Sequence, residues 1–446
     1  MGRTFMKQFL QKLSETRCSD LSEDAVDASK KVMLDTVGAM VAGAKESSTQ
    51  NLMRQLADEN KGKYYVLGTN ETFNLQTAGL MNGVAAVAVE LDEGNQWSKG
   101  HPAAHVVPTM LTYVQSKEKY SGKEFILNLV KSYEACSRFG RATTLLPDSH
   151  AHGTWGVMGA AASALFFETT SLDLLYEGIN ISASFAMPTM WNAALEGALI
   201  RNIYVGQAIE SGIKTVDLVK SDFLAPKDTI EYVYGKVVGR NFYTEVFGET
   251  FNQWDIERNY YKEHAFCRYA HAPLDAFKMV VDENNIEPHH IDKIDVSTYS
   301  RAATLNSSEY HNALSAKFSI PYALAVWVHT KKSDHSIFND TYLRDETIRD
   351  VARTINVFSS RELEKDYPTV MPAEVAVKLK SGVTFTQKLD NAENGLGEDV
   401  TFDDLINKFK SNTSHLPTVR QKEIIDWIHN MDEKEDMFEL ITLLSS

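Results

Sequence analysis

The spacing of apolar residues changes twice along this 446-residue chain, and no single-class fold accommodates both changes. Up to about residue 265 the pattern is helical. Ser22-Glu23-Asp24 offers a cap and an acidic first turn, and Val26, Met33, Val37, Met40 and Val41 follow at helical spacing. Ser121-Gly122-Lys123-Glu124 reads as a capping box, with Tyr120 and Phe125 placed to close a hydrophobic staple. After about residue 290 the period becomes two. Lys293 to Thr298 alternates, and so does Val375 to Leu379. A Ser381-Gly382 turn then leads to Val383-Thr384-Phe385, as in a hairpin. Lys317 to Val328 and Asp345 to Val357 read as helices between these strands. From Phe402 the helical period returns through Leu405, Ile406, Phe409, Ile424, Ile425, Trp427 and Ile428. The expected fold is therefore mainly α. A large multihelical domain spans 1–265, a smaller α+β domain is inserted at 266–400, and helices at 401–446 return to the helical body.

Runs of small residues, Asn82 to Ala86 and Gly159 to Ala164, suit inner helices that approach closely around a buried centre. With 43% hydrophobic and 24% charged residues, the chain can build two domain cores. The net charge of −15 argues against broad nucleic-acid binding. A site for an anionic substrate must therefore gather its positive groups locally. No stretch is long and apolar enough to span a bilayer, and Met1 to Met6 carries neither a long apolar core nor a myristoylation pattern, so a cytoplasmic location is expected. Cys18, Cys136 and Cys267 are odd in number and far apart, which supports neither a disulfide framework nor a cysteine zinc site.

Four segments could carry chemistry. Glu90-Leu91-Asp92-Glu93-Gly94 follows an Ala-rich helix and leads to Gly100-His101-Pro102, a histidine in a Gly/Pro-framed loop. The plain alternative is a solvated acidic helix end with a surface histidine. His150-Ala151-His152-Gly153-Thr154-Trp155-Gly156 feeds a small-residue helix. A His-x-His pair can bind metal, but the sequence identifies no further ligands. A histidine at a helix start can instead stay neutral for acid–base work, and helix N-terminal amides favour carboxylates. In Glu196 to Gly206, Arg201 between apolar residues could hold a carboxylate bidentately, or be an ordinary helix-end charge. Lys262-Glu263-His264-Ala265-Phe266-Cys267-Arg268-Tyr269-Ala270-His271 packs five basic or basic-capable residues and a thiol into ten positions. Cys267 reads as a packed thiol rather than a nucleophile.

Taken in order, these motifs resemble the MmgE/PrpD family. The resemblance runs through Leu34 to Ala39, Met81 to Ala86, Glu90 to Glu93, Gly100-His101-Pro102, Tyr133-Glu134 with Arg138, and His150 to Gly156 followed by Gly159 to Ala162. It continues through Lys262 to His271, Ala316 to Tyr322, Pro372 to Val375 and Lys408-Phe409, covering nearly the whole chain. It implies a large helical domain completed by the tail, a smaller α/β lid, and usually a homodimer. It also implies chemistry without metal or organic cofactor. Members include 2-methylcitrate dehydratase, cis-aconitate decarboxylase and an iminodisuccinate epimerase. In the decarboxylase-like members the site series is an acid and a Thr, a His in the His-Pro motif, a second His, and two lysines. Here His101 matches the first His, His150 the second, and Lys262 the later lysine. Arg201 stands for the earlier lysine, and Tyr204 stands where a His is frequent. The acid is Glu90 or Asp92, the Thr is Gly94, and His152 occupies a Thr position. These departures mark a divergent branch.

The expected function is thus a lyase, a dehydratase or decarboxylase, acting on a small di- or tricarboxylate through a carbanion stabilised by a carboxylate. The alternatives are a polycarboxylate epimerase and a non-catalytic carboxylate binder. His101 and His150 are the acid–base candidates, with Lys262 and Asp92 as further catalytic candidates. Arg201, His152, Arg268, His271, Glu90 and Tyr204 are the substrate-binding candidates. No metal ligand set, cofactor, nucleic acid or membrane partner is expected.

Overall fold

In the computed structural model, which describes residues 2–249, 253–392 and 400–445, the Ser22 hydroxyl accepts the Ala25 N–H and starts helix α1, Glu23–Gly43. Asn74 caps α2, Leu75–Ala88, in the same way through Thr77. Helix α3 is Pro102–Tyr113, and α4, Gly122–Ala142, opens on the reciprocal Ser121–Glu124 box. Tyr120 and Phe125 both pack on Phe167. Helices α5, Gly156–Phe166, and α6, Ile200–Lys220, complete the set that frames the site.

Two units emerge, one of Met1–Met190, Ile200–Asn259 and Val400–Ser446, the other of Trp191–Leu199 and Tyr260–Asp399. In the first, every residue of α3 is buried, as is all of α5 through Leu165. A helix apolar on all sides belongs in a core, and each fully buried Val, Leu or Met contributes about 1.5–3 kcal/mol. The small-residue runs explain how such helices meet. A Cβ on Gly83 of α2 would lie 2.9 Å from the Gly206 Cα of α6 and 2.6 Å from the Ile209 side chain. Gly83→Val would therefore force these helices apart. The tail is tied in by Lys408 on the helix Phe402–Asn412, whose ammonium donates to Asp35 at 2.5 Å and to the Leu91 carbonyl at 2.9 Å.

The second unit holds α7, His271–Glu283, and strand β1, Ile291–Thr298, then α8, Ile320–Thr330, and α9, Glu346–Arg353. Strands β2, Ile355–Ser359, β3, Ala373–Leu379, and β4, Thr384–Leu389, give a sheet of order β2-β1-β3-β4. β3 and β4 are the expected hairpin, paired Val377 to Phe385. β1 and β2 are parallel, and the crossover between them carries α8 and α9. Ile294 and Val296 sit opposite Ile355 and Val357 on one side and Val377 and Val375 on the other, forming a buried stripe with Val357 half-buried at its edge. The class is mainly helical with a small mixed sheet in the C-terminal region.

Two expected helices are revised. Asp345–Val357 ends as a helix at Arg353, because the alternating Ile355 and Val357 gain more as a ladder beside β1 than as a further helical turn. Lys317–Val328 is broken at Phe318-Ser319, where the Ser319 hydroxyl accepts the Tyr322 N–H and restarts the helix just ahead of Pro321. Residues 393–399, at the end of the expected smaller domain, lie outside the described residues.

Candidate active site

The acidic segment after α2 is buried, not solvated: Glu90, Asp92 and Glu93 are all at or below 1% exposure. The chain leaves α2 through Glu90, whose φ of +59° is left-handed and costs a non-glycine residue roughly 1–2 kcal/mol. An ion pair holds that turn, Arg201 Nη2 to Glu90 Oε2 at 2.6 Å, while Arg201 Nη1 donates to the Val87 carbonyl at the end of α2. Arg201, expected to grip a substrate carboxylate, thus already spends its fork on the protein.

His101 is the N-cap residue of α3, followed by Pro102 at a position where the fixed proline φ suits a first helical turn. Its Nδ1–H donates to the Glu93 carbonyl at 2.6 Å and lies 3.1 Å from Asp92 Oδ2. Two acceptors on Nδ1 place the lone pair of the neutral ring on Nε2. One helical turn on, His105 donates from Nδ1 to the His101 carbonyl at 3.1 Å and accepts the Gly153 N–H on Nε2 at 3.3 Å. Burial pushes His105 down to about 4, so it stays neutral and links the His101 loop to the His150 loop.

That second loop turns at Gly153, where φ is +77° and a side chain would be strained. His150 is gripped through its backbone by Thr189, and its Nδ1 accepts the His152 N–H at 3.1 Å. The His152 ring is fully buried, with centroids 5.0 Å from His101, 4.6 Å from His150 and 5.9 Å from His105. Its Nε2 is 4.0 Å from Asp92 Oδ2, and among the described residues neither ring nitrogen has a hydrogen-bond partner. An unmet buried polar group costs about 1–3 kcal/mol. Burial first, then Arg201 and the neighbouring histidines, hold this ring neutral. Tyr204 stands beside His150 at 6.3 Å between rings, its hydroxyl accepting the Met190 N–H.

Glu93 supports this group from behind. Burial pushes its carboxyl up to about 8, with Asp35 and Asp92 adding to the rise, although the Tyr133 O–H and Ala103 N–H donate to it. At neutral pH it is an uncharged prop under the His101 loop.

Lys262, Arg268 and His271 belong to the second unit and form a cluster there. Lys262 is fully buried, and the Arg268 guanidinium lies 4.4 Å above the Tyr260 ring. His264 is satisfied on both sides, by Ser333 Oγ at Nδ1 and by Asp275 Oδ1 at Nε2, each at 2.7 Å. His271 donates from Nε2 to the Phe266 carbonyl. Burial first, then His264, Arg268 and Lys262, push it well below the usual histidine range. Cys267 is packed, its backbone N–H on the Lys317 carbonyl.

The first unit therefore unites Asp92, His101, His150 and His152, with Glu90, Arg201 and Tyr204 at the margin. Sequence reasoning missed His105, and it placed Glu93 in the candidate acidic segment without giving it a role. Their signals were present: His105 stands four residues after His101 on one helix face, and Glu93 directly follows Asp92. The partners that His152 lacked in the sequence are Asp92 and His101. One donor atom from each of these three lies within 4.8 Å of the others, a set able to hold a metal ion. A carboxylate against an imidazole Nδ1–H fixes the tautomer and raises the basicity of Nε2, which suits proton transfer at carbon.

The family model for the MmgE/PrpD N-terminal domain matches residues 7–242, and that for the MmgE/PrpD C-terminal domain matches residues 264–433. Human cis-aconitate decarboxylase is 22% identical in an alignment covering all of this chain and 95% of that protein. The mouse cis-aconitate decarboxylase is likewise 22% identical, with all of this chain and 94% of its own length aligned. A cis-aconitate decarboxylase-like protein of Aspergillus oryzae is 24% identical over half of this chain and 48% of its own. With both domain models matched in order along it, the chain belongs to the MmgE/PrpD family.

Proposed function

We propose that this protein is a cofactor-independent lyase that removes CO2 or water from a small di- or tricarboxylate. The observation that carries this reading is the buried arrangement of Asp92, His101 and His152 beside His150. His101 is fixed by carboxylate and carbonyl, and His152 has ring nitrogens that no described residue satisfies. The relatives that are cis-aconitate decarboxylases support a tricarboxylate and loss of CO2. In decarboxylation the C–C bond breaks and CO2 departs. Its electron pair stays on the carbon, where an adjacent carboxylate or alkene spreads it until a proton arrives. In dehydration a base takes the proton next to a carboxylate, and hydroxide leaves protonated as water. Either reaction needs a group that moves a proton and fixed polar groups that steady the negative charge.

His101, oriented by Asp92, is the proton-moving group in this reading, with His150 and His152 as the other candidates. Lys262 and Arg268 are proposed to supply positive charge for substrate carboxylates, with His271 as a neutral polar contact, and a homodimer is the proposed assembly. Among the described residues no helix is long and apolar enough to cross a membrane. The test is to incubate the protein with a panel of di- and tricarboxylates in deuterated water and follow the carbon-bound protons by NMR. Decarboxylation and dehydration each give a new product. Epimerisation gives exchange with inversion. A panel with neither product nor exchange defeats the lyase reading and leaves carboxylate binding without turnover.

A further inference from the structure

We propose that Asp92, His101 and His152 form a binding site for a divalent transition-metal cation of the zinc, cobalt or nickel type, and that the bound cation blocks turnover. The inference rests on the reading of this cluster as the acid–base centre, and adds a form of regulation to it.

Three observations point to a cation. One carboxylate and two imidazoles are the donor set that these intermediate metals prefer, with open positions left for solvent or ligand. The donor atoms are already gathered: Asp92 Oδ2 is 3.1 Å from His101 Nδ1 and 4.0 Å from His152 Nε2, and the whole set lies within 4.8 Å. A metal with bonds of about 2.0–2.1 Å to nitrogen needs its ligand atoms roughly 3.3 Å apart, so modest side-chain rotation closes the set. Independently, His152 is fully buried with both ring nitrogens unsatisfied among the described residues, and it faces the Asp92 carboxylate. Its loop holds it there through the His150 and His105 hydrogen bonds, so the ring is prepositioned rather than collapsed onto a neighbour.

The same geometry makes the cation an inhibitor. A coordinating imidazole must give up the nitrogen that would carry a proton, and a coordinating carboxylate no longer orients a histidine. The hydrogen bond from His101 Nδ1 to the Glu93 carbonyl and the pairing with Asp92 compete with the metal. Affinity in the micromolar range is therefore expected rather than the tight binding of a structural zinc site.

The experiment is calorimetric titration of metal-stripped full-length protein with Zn²⁺ alone, with Co²⁺ absorption reporting the ligand field. One equivalent should bind, and His152→Ala and Asp92→Asn should each weaken binding by about tenfold or more, since even outer-shell changes cost 10–100-fold at metal sites. Thermal melts verify that both variants are folded. The exposed neighbouring pair His289 and His290, with rings 4.0 Å apart, is the competing surface site. Replacing both with Ala should leave binding unchanged. Absence of binding in the wild type, binding unaltered in both cluster variants, or binding lost only with His289 and His290 would overturn the proposal. In a parallel assay, stripped protein should turn over a carboxylate, one equivalent of Zn²⁺ should suppress it, and a chelator should restore it. Turnover that requires the metal would overturn the blocking role. If no carboxylate is turned over while Zn²⁺ still binds through Asp92 and His152, the lyase reading fails and the cation site stands.

Discussion

The two histidine clusters of this chain look alike in sequence and differ in how their rings are satisfied. In the second unit, His264 has Ser333 on one nitrogen and Asp275 on the other, so its hydrogen-bonding capacity is used up in holding that unit together. In the first unit, His152 is just as buried, yet neither nitrogen has a partner among the described residues, and its nearest carboxylate is 4.0 Å away. A fully satisfied buried histidine stabilises. An unsatisfied one costs stability and persists where a ligand or a reaction makes use of it. Counting basic residues would favour the Lys262–His271 segment, whereas counting satisfied nitrogens favours His101 and His152.

The largest test of that contrast is on turnover. His101→Ala and His152→Ala are each expected to lower kcat by about 10²–10⁴-fold, the usual contribution of a positioned acid or base. His152→Ala should do so without losing a ring hydrogen bond among the described residues, whereas His101→Ala also loses its bonds to Glu93 and Asp92. A double variant with near-normal turnover would reduce the cluster to a structural one, and the difference from His264 would vanish. Next is Arg201. Arg201→Ala removes the ion-pair partner of the buried Glu90 carboxylate at a left-handed turn and should cost about 3–5 kcal/mol in denaturant unfolding. Arg201→Lys keeps the charge but loses the fork, so it should recover part of that loss. If stability is unchanged and only KM rises, Arg201 serves a substrate carboxylate, as its sequence context suggested.

His264→Ala should behave in the opposite way to His152→Ala. It removes the imidazole from between Ser333 and Asp275, with Lys278 still on the carboxylate, and should lower stability by about 1–3 kcal/mol, while kcat stays within roughly tenfold of wild type. A kcat loss as large as that of His101→Ala would make the two clusters functionally equivalent.

The smallest effect concerns pH and serves as a control on a network that includes no residue of either cluster. Burial alone would raise Glu168, but hydrogen bonds from Lys117, Lys220 and Tyr113 outweigh it and hold the carboxyl down to about 2. A carboxyl held lower in the fold than in the unfolded chain contributes stability that is present above its ordinary 4.5 and is lost as the pH falls toward 2. Glu168→Gln should flatten only that acid limb, by at most about 1 kcal/mol for a part-exposed network, and leave stability at pH 7 and above nearly parallel to wild type. A change in the neutral-pH activity of this variant would show that the outer network reaches the histidines.

Much of this protein was legible in its sequence. The capping boxes and caps at Ser22 and Ser121, the inner small-residue helices, the 373–389 hairpin and the return to helix after Phe402 all follow from local periodicity and capping chemistry. Local reasoning failed at Ile355–Val357, where the parallel partner β1 is some sixty residues away and invisible to a window of ten. The loops that carry His101 and His150 were also identifiable, because glycine, proline and a following helix mark them in the chain. What only the tertiary structure decided is which groups meet. Arg201 finds Glu90, 111 positions away, rather than open solvent. His152 finds Asp92 and His101 rather than its sequence neighbour alone. His105 joins two loops that are 48 residues apart. The physical reason is that periodicity and capping are properties of a few consecutive residues. Whether a buried charge or imidazole is satisfied depends on every element packed around it.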